Sequence, residues 1–273
     1  MDISYQMVDV FCDGDFSGNP VAVLDGAGRD TEEMQRIARW LNLSETTFLL
    51  PPTSAEADYR VRIFTLEREL PFAGHPTLGT CHAWAERTGS GKTEVVQECP
   101  AGLIRVHRRS GRWAFEAPPL VRAGPADAET VAGAARFLNI SADAIVAAEW
   151  VDNGPGWLGV LLNSADDVLA VEPANHWPTP IDVGVIGAYP AGSETAFELR
   201  TFFSNHLGGI VEDPVTGSFN ASAAQWMIGS GRGMPPYVAA QGTKLGRRGR
   251  IFVEQDGDSV WIGGRTQTMF AGG

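Results

Sequence analysis

An α+β fold of two similar, β-rich domains follows from three observations on this 273-residue chain. Short segments rich in Val, Ile and Phe, punctuated by 32 glycines and 17 prolines, read as strands and outnumber the helix signals. Arg62, Phe64, Pro76, Gly79, Ala83 and Ala85 recur as Arg200, Phe202, Pro214, Gly217, Ala221 and Ala223, always 138 positions later, with Thr80 and Ser218 matched as hydroxyls. A Pro-rich stretch, 118–125, lies between the two copies and sets a boundary near residue 120. The domains are then 1–120 and 121–261, leaving open a return of the tail, 262–273, to the first domain.

The elements follow in order. Strands are predicted at 4–11, 21–24, 46–50, 59–65, 103–107, 157–162, 197–203, 251–254 and 260–263. Thr31 can cap a helix in which Met34, Ile37, Ala38 and Leu41 share one face. Helices are also predicted at 77–87 after Pro76 and at 216–228 after Pro214. A fourth, 128–138, is poor in bulky residues and reads as a surface helix between the halves. The order of elements before Pro76 repeats before Pro214, which makes two facing copies of one unit the structural inference.

Composition excludes several functions. With 21 Lys and Arg against 33 Asp and Glu, the net charge is −12 and the longest basic run is Arg247, Arg248 and Arg250, so no nucleic-acid footprint is expected. Apolar stretches are strand-sized and MDISYQMVDVF has no signal-peptide pattern, which predicts a soluble, cytoplasmic protein with no membrane partner. Cys12, Cys81 and Cys99 have neither CxxC nor metal-ligand spacing with the five histidines, so reduced thiols and no metal site are expected.

The repeat places His75-Pro76 and Asp213-Pro214 each before a helix rich in small residues. Two helix N-termini aimed at one cleft would offer N–H groups to a small carboxylate; a capping turn is the alternative for either motif alone. Glu45 stands where an amphipathic helix gives way to the apolar run Phe48, Leu49 and Leu50. Partial desolvation there would make it a usable acid or base, against the alternative of a solvent-facing residue. At the same offset the second half has Val183 beside Asp182, so one glutamate breaks the symmetry. Asn19, before the VAVL strand, could touch a substrate or brace a turn.

Five segments resemble the phenazine-biosynthesis (PhzF-like) isomerases of the diaminopimelate epimerase fold: VDVFCDGDFSGNPVAVL (8–24), SETTFLLPP (44–52), FTLERELPFAGHPTLG (64–79), EDPVTGSF (212–219) and VWIGGRT (260–266). The resemblance implies two β-barrel-like domains, each around a central helix, an active site in the interdomain cleft, a homodimer and chemistry without a cofactor. It implies that Glu45 is the acid/base that takes a proton from one substrate carbon and returns it to another, flanked by His75 and Asp213. Gly74, Thr216, Gly217 and Ser218 would supply donors to the substrate carboxylate, and Asn19 would line the pocket. Phe219, where the family has a small residue, and a longer segment at 203–209 are expected to reshape that pocket. The function expected is a proton-shifting isomerase of a small unsaturated amino-acid-like carboxylate, of the dihydro-3-hydroxyanthranilate type. The alternatives are an amino-acid epimerase or racemase of related fold, and a non-catalytic binder of small carboxylates.

Overall fold

Alternating burial decides most of the strands. In Tyr59–Phe64 the side chains of Tyr59, Val61 and Ile63 are buried while Arg60 and Arg62 are half-buried, the period of two that a pleated strand imposes. In the computed structural model, which describes residues 3–205 and 207–273, the strands and five α-helices divide between two units. One consists of Met1–Glu116 with Ile262–Gly273 and the other of Ala117–Trp261. His206, in the segment expected to reshape the pocket, lies outside the described residues.

The N-terminal unit holds α1 (Thr31–Leu41) and α2 (Gly74–Thr88). Its strands run in the spatial order Thr266–Gly272, Tyr5–Val10, Asn19–Asp25, Thr46–Leu50, Tyr59–Phe64, Glu94–Cys99, Gly102–Arg109 and Arg112–Glu116. α2 is the buried axis, packed against Thr266–Gly272, Tyr5–Val10, Asn19–Asp25, Thr46–Leu50, Tyr59–Phe64, Glu94–Cys99 and Arg112–Glu116. Close approach depends on Gly79, where a Cβ would sit 2.3 Å from Val21 Cγ1. The N-cap of α1 is Asp30, which accepts from the Glu33 N–H, so Thr31 is the first helical residue rather than the cap.

The C-terminal unit holds α3 (Ala128–Leu138), α4 (Ala165–Ala170) and α5 (Gly217–Gly229). Its order is Arg122–Pro125, Ala147–Asp152, Leu158–Leu161, Asp182–Ala188, Phe197–Ser204, Tyr237–Gln241 and Gly249–Asp256. Part of the Pro-rich stretch read as a linker is therefore a strand. α3 is not a surface connector either: Ala134, Ala135, Phe137 and Leu138 are buried, because alanines let it lie close on the sheet. α5 is apolar or small on nearly all sides and is buried accordingly. In both units the sheet is an open ladder and is not closed into the barrel expected.

Two matched ion pairs show how the units correspond. Arg62 grips Glu69 with Nε–Oε1 at 2.7 Å and NH2–Oε2 at 2.5 Å, and its guanidinium lies 5.1 Å from the Phe64 ring. Arg200 grips Glu212 at 2.9 and 2.8 Å and lies 4.9 Å from Phe202. In the ladders Phe64 faces Glu69 and Phe202 faces Glu212. The two hairpins differ in length, with 65–68 in one and 203–211 in the other.

That difference corrects the repeat. The 138-residue offset holds for Arg62/Arg200 and Phe64/Phe202, but beyond the longer hairpin the equivalent residues are Glu69/Glu212, Pro71/Pro214 and Gly74/Gly217. Ala73 and Thr216 are the two N-caps, and their carbonyls accept from the Thr77 and Asn220 N–H groups at 3.2 and 2.9 Å. The 138-residue matches of Pro76, Gly79, Ala83 and Ala85 arise because small residues recur along both helices. His75 is thus inside α2, while Asp213 and Pro214 precede α5; His75 corresponds to Ser218.

Candidate active site

In the N-terminal unit, Asn42 ends α1 in the left-handed conformation (φ 55°), and the chain turns directly through Ser44 and Glu45 into Thr46–Leu50. The turn leaves the Glu45 side chain only 17% exposed, with Oε2 3.5 Å from Nε2 of His75. His75 is the second residue of α2 and is buried. Burial pushes its pKa down to about 3, so the ring is neutral.

The tautomer follows from its neighbours. The ring hydrogen-bonds the backbone of Pro20, which has no N–H, so the ring donates to the Pro20 carbonyl. Nε2 makes no hydrogen bond, which identifies Nδ1 as the donor. Asn19 Nδ2 lies 3.4 Å from Nδ1, a longer contact in which two donors would face each other; the Pro20 bond is the one that fixes the ring. Nε2 therefore turns a lone pair toward Glu45. A proton on Glu45, or a donor group of a substrate placed between the two, turns this juxtaposition from repulsive to attractive.

The loop before Asn19 is held from below. Asp9 accepts from the Ser17 N–H at 2.9 Å and the Gly18 N–H at 3.0 Å, and Ser17 Oγ accepts from the Asp13 N–H. Phe11 and Phe16 flank it with φ of 62° and 59°, the left-handed region that is costly for a residue with a Cβ; Phe11 is fully buried there and Phe16 is exposed. A Cβ on Gly18 would lie 2.1 Å from the Val10 carbonyl oxygen.

In the C-terminal unit, Asp213 ends a directed chain of donors. Gln241 Nε2 donates to Thr201 Oγ1 at 3.0 Å, the hydroxyls of Thr201 and Thr216 are 2.5 Å apart, and Thr216 Oγ1 donates to Asp213 Oδ2 at 2.6 Å. Because Thr216 spends its one proton on Asp213, the Thr201 hydroxyl must donate to Thr216. Gln241 Oε1 closes the network by accepting from the Thr216 N–H and from Asn220 Nδ2.

Ser218 is the second residue of α5. Its Oγ accepts from Trp157 Nε1 at 3.0 Å and its carbonyl from Asn153 Nδ2 at 2.9 Å. The Trp157 bond leaves the Ser218 proton available to an incoming acceptor. The first-turn N–H groups of Gly74 and His75, and of Gly217 and Ser218, point out of the helix starts as helical geometry requires.

The structure thus gathers Asn19, Glu45, Gly74 and His75 in one unit and Asp213, Thr216, Gly217 and Ser218 in the other. Phe219 does not narrow a pocket: it is fully buried, 5.5 Å from the Trp157 ring, over Gly184, where a Cβ would lie 2.1 Å from the ring atoms. Sequence reasoning missed Asp9, Asn153, Trp157, Thr201 and Gln241; an acidic residue inside the apolar run MVDVF was the one signal available. It also misplaced the counterpart of Glu45. Thr46 faces Phe64 and Val183 faces Phe202, so the position before each holds Glu45 and Asp182, a carboxylate in both units.

Comparison with known proteins agrees with this architecture. Residues 8–272 match the family model described as phenazine biosynthesis-like protein. The chain is 37% identical over 301 residues to antisense-enhancing sequence 1 of Schizosaccharomyces pombe, covering 98% of this chain and 97% of the relative. It is 33% identical over 262 residues to the trans-2,3-dihydro-3-hydroxyanthranilate isomerase of Pseudomonas fluorescens, covering 93% and 91%. A crystal structure of a PhzF-family protein from Enterococcus faecalis superposes with a TM-score of 0.79 at 26% identity, covering 100% of this chain and 98% of that one. The chain belongs to the phenazine biosynthesis-like family, and its enzyme class is isomerase.

Proposed function

We propose that the protein moves a proton between two carbons of a small unsaturated amino-acid-like carboxylate, with Glu45 as acid and base. The observation that carries this reading is the Glu45–His75 pair: a carboxylate 3.5 Å from the unprotonated Nε2 of a neutral, buried imidazole. Such a pair holds one proton between two acceptors and can deliver it or take it back as a substrate donor enters. His75 accepts a hydrogen bond from the substrate's amino or hydroxyl group, which keeps the reacting carbon beside Glu45. Asp213, with its orientation fixed by Thr216, binds a second polar substituent. The Ser218 hydroxyl and the first-turn N–H groups of Gly217 and Gly74 bind the carboxylate and stabilise charge that spreads into it as the C–H bond breaks. A single base suffices when the proton leaves and returns on the same face of a conjugated system.

The cyclohexadiene amino acid named for the Pseudomonas relative is the compound to try first. Turned over in deuterium oxide, it should gain deuterium at the carbon that is reprotonated. Glu45→Gln should slow that exchange about 100- to 10,000-fold, the usual worth of a positioned acid/base. Exchange at the wild-type rate in the Gln variant would remove Glu45 from the role.

A further inference from the structure

The two units repeat a device at the turn into their second strand. Met7 faces Ala22 and Trp150 faces Leu158, and those partners face Thr46 and Val183, which are matched because they face Phe64 and Phe202. Asp9 and Asp152, two residues beyond Met7 and Trp150, therefore correspond, and so do Gly18 and Gly154, four residues before Ala22 and Leu158. Oδ1 of Asp9 accepts from the Gly18 N–H at 3.0 Å and Oδ2 from the Ser17 N–H at 2.9 Å. Oδ1 of Asp152 accepts from the N–H groups of Gly154 and Gly156, both at 2.7 Å. In each unit one carboxylate thus gathers two loop N–H groups, and the matched glycine supplies one of them.

The gripped turn in turn holds the second residue of the central helix. In the N-terminal unit the Pro20 carbonyl, two residues after Gly18, fixes the His75 ring. In the C-terminal unit Asn153 Nδ2 donates to the Ser218 carbonyl and Trp157 Nε1 to the Ser218 hydroxyl, and these two residues flank the gripped glycines. Asp9 is the costlier of the two carboxylates. It is 2% exposed between the fully buried Val8 and Val10, where only its hydrogen bonds offset the loss of water. Pro20, which faces Asp9 across the ladder, has no N–H to give, so its placement depends on the residues before it. A Cβ on Gly18 would lie 2.8 Å from Asp9 Oδ1 and 2.1 Å from the Val10 carbonyl oxygen, so the loop has one seat.

We propose that Asp9 is a positioning residue: by anchoring Ser17 and Gly18 it keeps the Pro20 carbonyl on Nδ1 of His75, and so keeps Nε2 the acceptor that faces Glu45. Asp152 does the same for the turn that holds Ser218. The effect of Asp9 on turnover rests on the roles given above to Glu45 and His75; its effect on the ring does not. With the Pro20 carbonyl displaced, the ring proton moves to Nε2 and is donated to Glu45, which ties the two groups to each other and leaves neither lone pair for a substrate. Asp9→Asn keeps the shape of the side chain but sets an NH2 group against one of the two loop N–H groups, so the double grip is lost.

The test reads the ring directly. In full-length protein carrying 15N-labelled histidine, the two-bond nitrogen–proton correlations of His75, identified by their loss in His75→Gln, should place the proton on Nδ1 at pH 7. Asp9→Asn should raise the Nε2–H population about tenfold, the scale of one lost hydrogen bond, while keeping the wild-type far-ultraviolet circular dichroism. Asp152→Asn should leave the His75 ring as it is and shift the indole N–H signal of Trp157 instead. With the cyclohexadiene amino acid as substrate, Asp9→Asn should lower kcat about 100-fold with a smaller change in KM, the cost of misplacing a catalytic group by about 1 Å. In the wild type the Gly18 N–H should exchange with deuterium at least about 100-fold more slowly than an open amide. A folded Asp9→Asn protein with the wild-type tautomer would overturn the proposal. So would fast exchange of the Gly18 N–H in the wild type, a measurement that does not depend on the variant folding. A displaced ring proton with unchanged kcat would uphold the positioning and remove His75 from the reaction.

Discussion

Each of the two similar units holds a candidate site residue near the start of its central helix, His75 in one and Asp213 in the other, and the two are held by opposite means. His75 is fixed by one backbone carbonyl and by exclusion of water, and burial keeps it neutral. Asp213 is fixed by a saturated relay of an amide and two hydroxyls, the last of which donates to it at 2.6 Å. A group that must pass a proton benefits from few bonds and a poised lone pair. A group that must hold a substituent in place benefits from having its orientation fully determined. One scaffold can evidently supply either environment at the start of its central helix.

The sharpest way to break this comparison is by pH. His75 ionises at about 6.5 in an unfolded chain and at about 3 in the folded one. Between these values the unfolded state binds the extra proton, so stability rises with pH across the window. The contribution is complete above about pH 6.5 and is lost as the pH falls toward 3, at about 1.4 kcal/mol per pH unit within the window. Urea titrations at pH 4, 5 and 7 should show this slope as the difference between wild type and His75→Gln, since the carboxylates common to both cancel. Equal pH dependence in the two proteins would mean that His75 is not held neutral.

A smaller effect tests the relay. Thr216→Val keeps the shape but leaves Asp213, Thr201 and Gln241 each short of a partner, and should cost about 2–4 kcal/mol in chemical denaturation. The comparison variant is Thr77→Val, which removes only the acceptor of Gln97 Nε2 at 2.9 Å in the other unit, and should cost about 1–2 kcal/mol. Equal losses would mean that the two networks are alike. The smallest expected change is Ser218→Ala, which strips Trp157 Nε1 of its acceptor for about 1 kcal/mol. It should raise KM for the carboxylate substrate more than it lowers kcat, and a pure stability loss with unchanged KM would remove Ser218 from binding.

Much of this was legible before any coordinates. The strand Thr46–Leu50 and the helix Ala128–Leu138 have the predicted bounds, because an apolar run behind a turn and an Asp-capped alanine-rich segment are locally determined. The surroundings of Glu45 could also be read, since a helix end and a buried strand start are both local signals. Ladder register was not legible. Arg62 and Arg200 match in sequence, but only the bonds to Glu69 and Glu212 reveal where the offset changes. Asp182 was hidden for the same reason, one position from where an ungapped offset pointed. Trp157 and Gln241 reach their partners Ser218 and Thr216 from distant strands, and no local pattern announces such a contact.

The pair of forked Arg–Glu grips has a bearing on how such a molecule could change over generations. Each grip pins the base of a hairpin, so what lies beyond it can lengthen without disturbing the sheet. The longer hairpin adds two ladder pairs, Phe203 with Val211 and Ser204 with Ile210, so the loop to be closed grows only from four residues to five, at almost no cost in closure entropy. After a duplication, the stretch beyond the grip is where one copy can absorb inserted codons cheaply, a few residues from Asp213. Differences in length between two such units are expected to gather first in that hairpin.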